Sequence, residues 1–304
     1  MRILIVGAGA TGGYFGGRLM QAGRDVTFLV RPARAHRLRE RGLRIVGLGE
    51  NTVLTPALLL AGEITESFDL VLLTVKATGL RQAMADMAPA VGPETLIIPV
   101  LNGIRHIDAL AERFGERPVL GGLAYLATTI NADGDILRLT DLHGLTYGSR
   151  GTSTPRLAEV DRVLGDAGFP TTLSENITGD MWSKWLFIAA TGAVTCLMRG
   201  TVGEVVAAPG GVAFAEAVVA ECATVAAAAG YPVPEKELEH ARAVVTTPDS
   251  PMTSSMYRDL MAGNSVEVEQ VFGDLASRAA RLGVAVPLLD LVTMPLRVHQ
   301  NRLG

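Results

Sequence analysis

Cysteine is close to absent from this chain: 304 residues hold two, Cys196 and Cys222, both in apolar helical stretches. Two thiols build no disulfide framework; they are expected to pack as small hydrophobes in a reducing, cytoplasmic setting. Histidine is almost as sparse. His36, His106, His143, His240 and His299 are scattered without ligand spacing, so no metal site is expected. There is no GxSxG, and neither cysteine has the histidine context of a nucleophile. An excess of positive charge is also missing. The formal net charge of −4 and pI near 5.8 argue against nucleic acid as a main partner. The first strand begins directly after Met1, so no signal peptide is expected. One apolar run has the length of a membrane span, Met181 to Met198, with a single charged residue in eighteen. Its charge near one end, its Gly192 and its three hydroxyls favour a buried helix, and no membrane partner is expected.

Hydrophobic residues, by contrast, make up 48% of the chain, with mean hydropathy +0.30, ample for a large core. The stretch from Ile3 to Arg31 organises the rest. Ile3-Leu4-Ile5-Val6 reads as a buried parallel strand, Gly7-Ala8-Gly9-Ala10-Thr11-Gly12 follows at once, and a helix-compatible segment leads to a second strand, Val26 to Val30. That context marks a dinucleotide fingerprint. Gly7 serves the tight turn, Gly9 the approach of the pyrophosphate, and Gly12 the closeness of helix and strand. The helix start offers N–H groups to phosphate. An NAD site places a carboxylate at the end of the second strand. Here that place holds Arg31, nineteen residues after Gly12, followed by Arg34 and Arg37. Asp25 stands at the strand's beginning, the wrong end. Cations suit a 2′-phosphate, so the expected cofactor is NADP(H).

The length suits two domains better than one. After Arg31 come a basic helix, Ala33 to Arg41, and short strands at Leu43 to Val46 and Thr52 to Thr55. Further strands are expected at Phe68 to Lys76, Thr95 to Leu101, Val119 to Tyr125, Ile136 to Leu139, Leu145 to Tyr147 and Thr171 to Leu173. Helices Leu80 to Ala90, Ile104 to Phe114 and Ala158 to Ala167 lie between them. From Glu175 onward only helices are expected: Met181 to Ala190, Gly211 to Ala229, Glu235 to Val245, Val266 to Leu282 and Leu288 to Arg302. The fold class is therefore α/β: an N-terminal Rossmann-type, mostly parallel, doubly wound sheet over residues 1–174, then an all-α C-terminal domain over 175–304.

Ligands of an open parallel sheet bind outside the carboxyl ends of its strands, where Lys76 and Asn102 stand. In the helical half, Lys184 lies in an otherwise uncharged helix between Trp182 and Trp185, the only tryptophans. A lysine so placed either snorkels to water or is held at a cleft by a partner, Glu267 or Glu269.

These pieces resemble the ketopantoate reductase family (2-dehydropantoate 2-reductases and their paralogues) across almost the whole chain. The matching pieces are GAGATGG at Gly7 to Gly13, Arg31, Thr74-Val75-Lys76-Ala77, Asn102-Gly103, Trp182-Ser183-Lys184, and Ser254-Ser255-Met256 followed by Asp259 and Glu267. The resemblance implies NADPH-dependent reduction of a small 2-oxo acid by a homodimer. Lys184 would be the general acid and Glu267 would bind substrate and orient the lysine. Ser255 would hold the substrate carboxylate, Lys76 and Asn102 would serve cofactor and substrate, and Arg31 the 2′-phosphate. Typical members carry two asparagines one and two helical turns past the lysine. Those places hold Ile188 and Gly192 here, and Met252 stands where a third asparagine is frequent. The departure implies a more apolar or differently shaped carbonyl substrate than ketopantoate. Two other readings stand beside this one: a related dehydrogenase of another ketone, imine or hydroxy acid, and a non-catalytic NADP(H) sensor. A sensor has no need of the acid supplied by Lys184 and Glu267.

Overall fold

The computed structural model describes residues 1–151 and 155–303. They form two compact units, one within residues 1–101 and 106–177, the other of residues 102–105 and 178–303.

The first unit opens with β1 (Arg2–Val6), α1 (Ala10–Gln21), β2 (Asp25–Leu29) and α2 (Pro32–Arg41). β3 (Leu43–Gly47), β4 (Glu50–Leu54), β5 (Ala57–Leu59), β6 (Phe68–Leu73), α3 (Leu80–Met87) and β7 (Val91–Pro99) follow. α4 (Arg105–Phe114), β8 (Gly121–Ile130), β9 (Ile136–Gly148), α5 (Leu157–Leu164) and β10 (Thr171–Leu173) complete it. One sheet has the order β5-β2-β1-β6-β7 with every pairing parallel. Its central strands are apolar on both faces because both faces are covered: Ile3, Leu4, Ile5, Leu70, Val71 and Leu72 are all fully buried.

The remaining strands do not extend that sheet, as a single doubly wound sheet would require. They form a second, mixed sheet, β10-β9-β3-β4, with β8 antiparallel to β9. α1 lies between the two, and its glycines permit this. A Cβ on Gly16 would stand 2.4 Å from Phe28 of the first sheet, and one on Gly13 would stand 2.4 Å from Ile136 of the second. β9 also corrects the expectation of two short strands, Ile136 to Leu139 and Leu145 to Tyr147. It is one thirteen-residue strand: β8 pairs with it on both sides of exposed Leu139–Leu142, and the register between the two strands shifts at those four residues.

The second unit is helical: α6 (Ile177–Met198, whose first residue belongs to the first unit), α7 (Val202–Ala207), α8 (Gly211–Ala228), α9 (Glu235–Val245), α10 (Ser255–Met261), α11 (Asp274–Arg281) and α12 (Pro287–Arg302). α7 and α10 are additions to the expected set. Each is short and fixed at its start by a side-chain cap. Thr201 and Glu204 form a reciprocal capping box, and Ser254 Oγ accepts from the Tyr257 amide at 3.0 Å. The helix expected from Val266 begins instead with a π turn, Glu269–Gly273, that leads into α11. By length and composition α6 and α8 are both candidate membrane spans. In α6, 67% of the apolar window is buried within the protein, and in α8, 39%.

Candidate active site

β1 ends at Val6 and α1 starts at Ala10, so the chain must turn within Gly7, Ala8 and Gly9. Gly7 does so at φ +97°, a conformation natural to glycine. Thr74, just beyond β6, directs its hydroxyl to the carbonyls of Val6 (2.9 Å) and Gly7 (3.0 Å), tying the loop to the next strand. Gly12 packs on the same spot: a Cβ there would stand 2.1 Å from both the Gly7 carbonyl oxygen and Thr74 Oγ1. Gly9 is the opposite case. It is exposed, and a Cβ would meet no protein atom within 4 Å. The fold itself does not require glycine at position 9, whereas a pyrophosphate lying on the backbone does. Gly9 caps α1 without a side-chain acceptor, and the first-turn amides at Ala10, Thr11 and Gly12 have no partner within the helix. These residues fit a dinucleotide.

Arg31 caps α2 at the carboxyl end of β2 and is exposed. Its Nη2 lies 3.4 Å from where a Gly79 Cβ would stand, over the single turn Ala77–Gly79 that exposed Lys76 introduces. The structure thus brings Arg31 and the turn after Lys76 together. Arg34 has a different task. Its Nε donates to the Ala8 carbonyl at 2.9 Å and its Nη1 to the Gly134 carbonyl at 2.7 Å, which braces the glycine loop. Burial, then the like charge of Arg37, lowers the pKa of the Arg34 guanidinium.

The other expected residues belong to the second unit. Lys184 sits near the start of α6, half-buried, with Trp182 and Trp185 on either side at 3% and 1% exposure. Apolar surroundings disfavour its charged form and bring its pKa from 10.5 to about 8. α6 is fixed by its neighbours. Trp185 Nε1 donates to the Val271 carbonyl at 2.9 Å, and Phe272 faces Gly192, where a Cβ would stand 3.1 Å from its Cζ. Val271 and Phe272 belong to the π turn, which starts two residues after half-buried Glu267. The Glu267 carbonyl accepts from the amides of Gln270 (3.2 Å) and Val271 (3.1 Å). π turns are rare and recur at functional sites.

Gln270, 4% exposed, donates from Nε2 to the Asn102 carbonyl at 2.6 Å. Gly103 turns there at φ +72°, and a Cβ on it would stand 2.6 Å from the Gln270 carbonyl oxygen. The segments bearing Lys184, Glu267 and Asn102 are therefore joined through Trp185, Phe272 and Gln270. Ser255 is the exposed first residue of α10. Its neighbour Ser254 shares a 2.9 Å hydrogen bond with Thr195 Oγ1 of α6. Ile188 is half-buried, one turn past Lys184. Sequence reasoning assigned no role to Thr74, Gln270 or Phe272. Thr74 stood inside a quoted piece, two residues before Lys76; the only signal for Gln270 was an amide in an apolar run.

Comparison with known proteins shows the family. The family model described as ketopantoate reductase PanE/ApbA matches residues 3–151, and the model of its C-terminal part matches 176–300. An uncharacterized oxidoreductase of Bacillus subtilis (strain 168), YkpB, is 36% identical over 301 residues, 99% of each chain. The crystal structure of a PanE/ApbA family ketopantoate reductase from Ralstonia eutropha JMP134 superposes with a TM-score of 0.89 at 26% identity, covering 99% of both chains. A D-mandelate dehydrogenase solved with NADH and anilino(oxo)acetate gives a TM-score of 0.89 at 22% identity, over 100% of this chain and 99% of that one; the two share the fold.

Proposed function

The chain belongs to the ketopantoate reductase family of oxidoreductases, and from that premise we propose that it reduces a 2-oxo acid to the 2-hydroxy acid with NADPH. The observation that carries the reading is Lys184, an ammonium on a largely buried helix with its pKa brought by burial to about 8. A reduced nicotinamide, when bound, supplies a hydride to the carbonyl carbon. Negative charge then grows on the carbonyl oxygen. The Lys184 ammonium stabilises that charge and gives up its proton to the oxygen, and the neutral amine regains a proton from water. Glu267 orients the lysine and the substrate, Asn102 contacts both ligands, and Ser255 holds the substrate carboxylate.

In the first unit, Gly7, Ala8, Gly9, Ala10, Thr11 and Gly12 carry the pyrophosphate, Arg31 the 2′-phosphate, and Lys76 assists. Preference for NADPH is supported by the exposed guanidinium of Arg31 at the end of β2. The reading places the enzyme in the cytoplasm as a homodimer, for which exposed Leu291, Met294 and Val298 on α12 offer an apolar surface. Ketopantoate is the reference substrate. The test is to follow NADPH absorbance while purified protein meets a panel of 2-oxo acids. Turnover of one or more supports the reading; a panel that leaves NADPH untouched while cofactor binds would favour a sensor.

A further inference from the structure

The face of α6 that continues from Lys184 carries Ile188 and then Gly192, on successive turns. Helical side chains lean toward the N-terminus, so Ile188 leans back over the turn that bears the lysine. It is half-buried, so part of its hydrocarbon surface stays accessible. Position 192 offers no polar group, and the ring of Phe272, itself fully buried, closes against it.

The hydroxyls next along the helix are already committed. Thr191 Oγ1 donates to the carbonyls of Phe187 (2.9 Å) and Ile188 (3.2 Å). Thr195 Oγ1 lies 2.7 Å from the Thr191 carbonyl and 2.9 Å from Ser254 Oγ, and Ser254 Oγ in turn accepts from the Tyr257 amide. The indole N–H of Trp185 is bound to Val271. Past the ammonium, this stretch has hydrocarbon where a hydroxylated substrate would need a partner.

We propose that the 2-oxo acid accepted here carries a branched or aromatic hydrocarbon side chain without a hydroxyl, with Ile188 as the residue that selects it. The proposal rests on the 2-oxo acid reductase reading above. A hydroxyl brought against Ile188 gives up its water and finds no protein partner, whereas a methyl group in the same place is favoured. Discrimination between such a pair by an apolar wall is of order 10- to 100-fold.

The experiment uses two acids that differ by one hydroxyl, 3,3-dimethyl-2-oxobutanoate and ketopantoate, its 4-hydroxy derivative. Both are assayed for kcat/KM with the full-length protein at saturating NADPH. The expected result is a preference for the dimethyl acid of roughly 10-fold or more. Ile188→Asn should narrow or invert that ratio, chiefly by lowering KM for ketopantoate, while Ile188→Ala, which adds no polar group, should not invert it. Preference of the native protein for ketopantoate overturns the proposal and leaves the reductase reading intact, and so does a ratio that a folded Ile188→Asn protein does not move. If neither acid nor any other 2-oxo acid oxidises NADPH, the reductase reading falls and the proposal falls with it.

Discussion

Protonation of Lys184 is what the proposed chemistry depends on, and the structure sets the pH at which the proton is lost. Burial takes its pKa from 10.5 to about 8. A general acid acts only while it holds its proton, so kcat/KM for reduction should be level below pH 7 and decline as pH rises through 8. With a pKa of about 8 the protonated fraction drops roughly 100-fold between pH 7 and pH 10; a lysine left at its ordinary value would lose well under about twofold over that range. The reverse reaction, which needs the neutral amine to take the proton, should rise over the same interval. Lys184→Arg separates titration from position. Its guanidinium keeps its proton throughout, so a slower but level profile is expected. Lys184→Ala should lower kcat by roughly 10²–10⁴ while NADPH affinity stays nearly unchanged. The assay is NADPH absorbance at saturating cofactor in buffers of constant ionic strength. A native profile level to pH 10, or a Lys184→Arg protein with the native decline, would refute the assignment.

The cofactor loop and its cation give two more predictions. Arg31→Ala should erode the preference for NADPH over NADH by roughly 1.5–3 kcal/mol, the worth of one charge-assisted phosphate contact, as measured by calorimetric titration of both cofactors. Equal affinities in the native protein would remove the NADP assignment. Gly12→Ala should destabilise the protein by roughly 1–3 kcal/mol or more, because its Cβ would be driven to 2.1 Å from the Gly7 carbonyl and Thr74 Oγ1. A thermal melt with and without NADPH checks this, and a native-like melt with normal cofactor stabilisation would contradict the packing described.

Local features were legible in the sequence and long-range ones were not. The Ile3 to Arg31 unit could be read directly because strand, turn and helix follow one another and the fingerprint glycines fall within six residues, Gly7 to Gly12. The helix Glu235–Val245 was likewise legible, punctuated by Pro234 before it and Pro248 after it. β9 was not, because its middle, Leu139–Leu142, is exposed and lies where the register with β8 shifts, so no hydrophobic alternation runs through it. The division into two sheets follows from α1 lying between them, and its glycines gave no hint of what stood on either side. The π turn was hidden because it keeps an apolar, helix-like composition while shifting the hydrogen-bond register by one residue. In the catalytic half, Lys184 was conspicuous as the lone charge in its run. The contacts that hold its surroundings span 86 residues from Trp185 to Val271 and 168 from Asn102 to Gln270, beyond any local pattern.

That last separation also has a timetable. Ribosomes add roughly 5–20 residues per second, so the Asn102–Gly103 turn is made about 8 to 30 s before the Gln270 that binds it. Residues 102–105 are counted with a unit whose helices come only after residue 177. On a nascent chain this turn must therefore stay hydrated, with its carbonyl bound to water, while the rest of the first unit is being completed around the strands on either side of it. A ribosome stalled shortly after residue 177 should display a glycine loop already shaped for its nucleotide and an Asn102 still without its amide partner. Competence to bind cofactor should thus appear in the growing polypeptide well before competence to reduce anything.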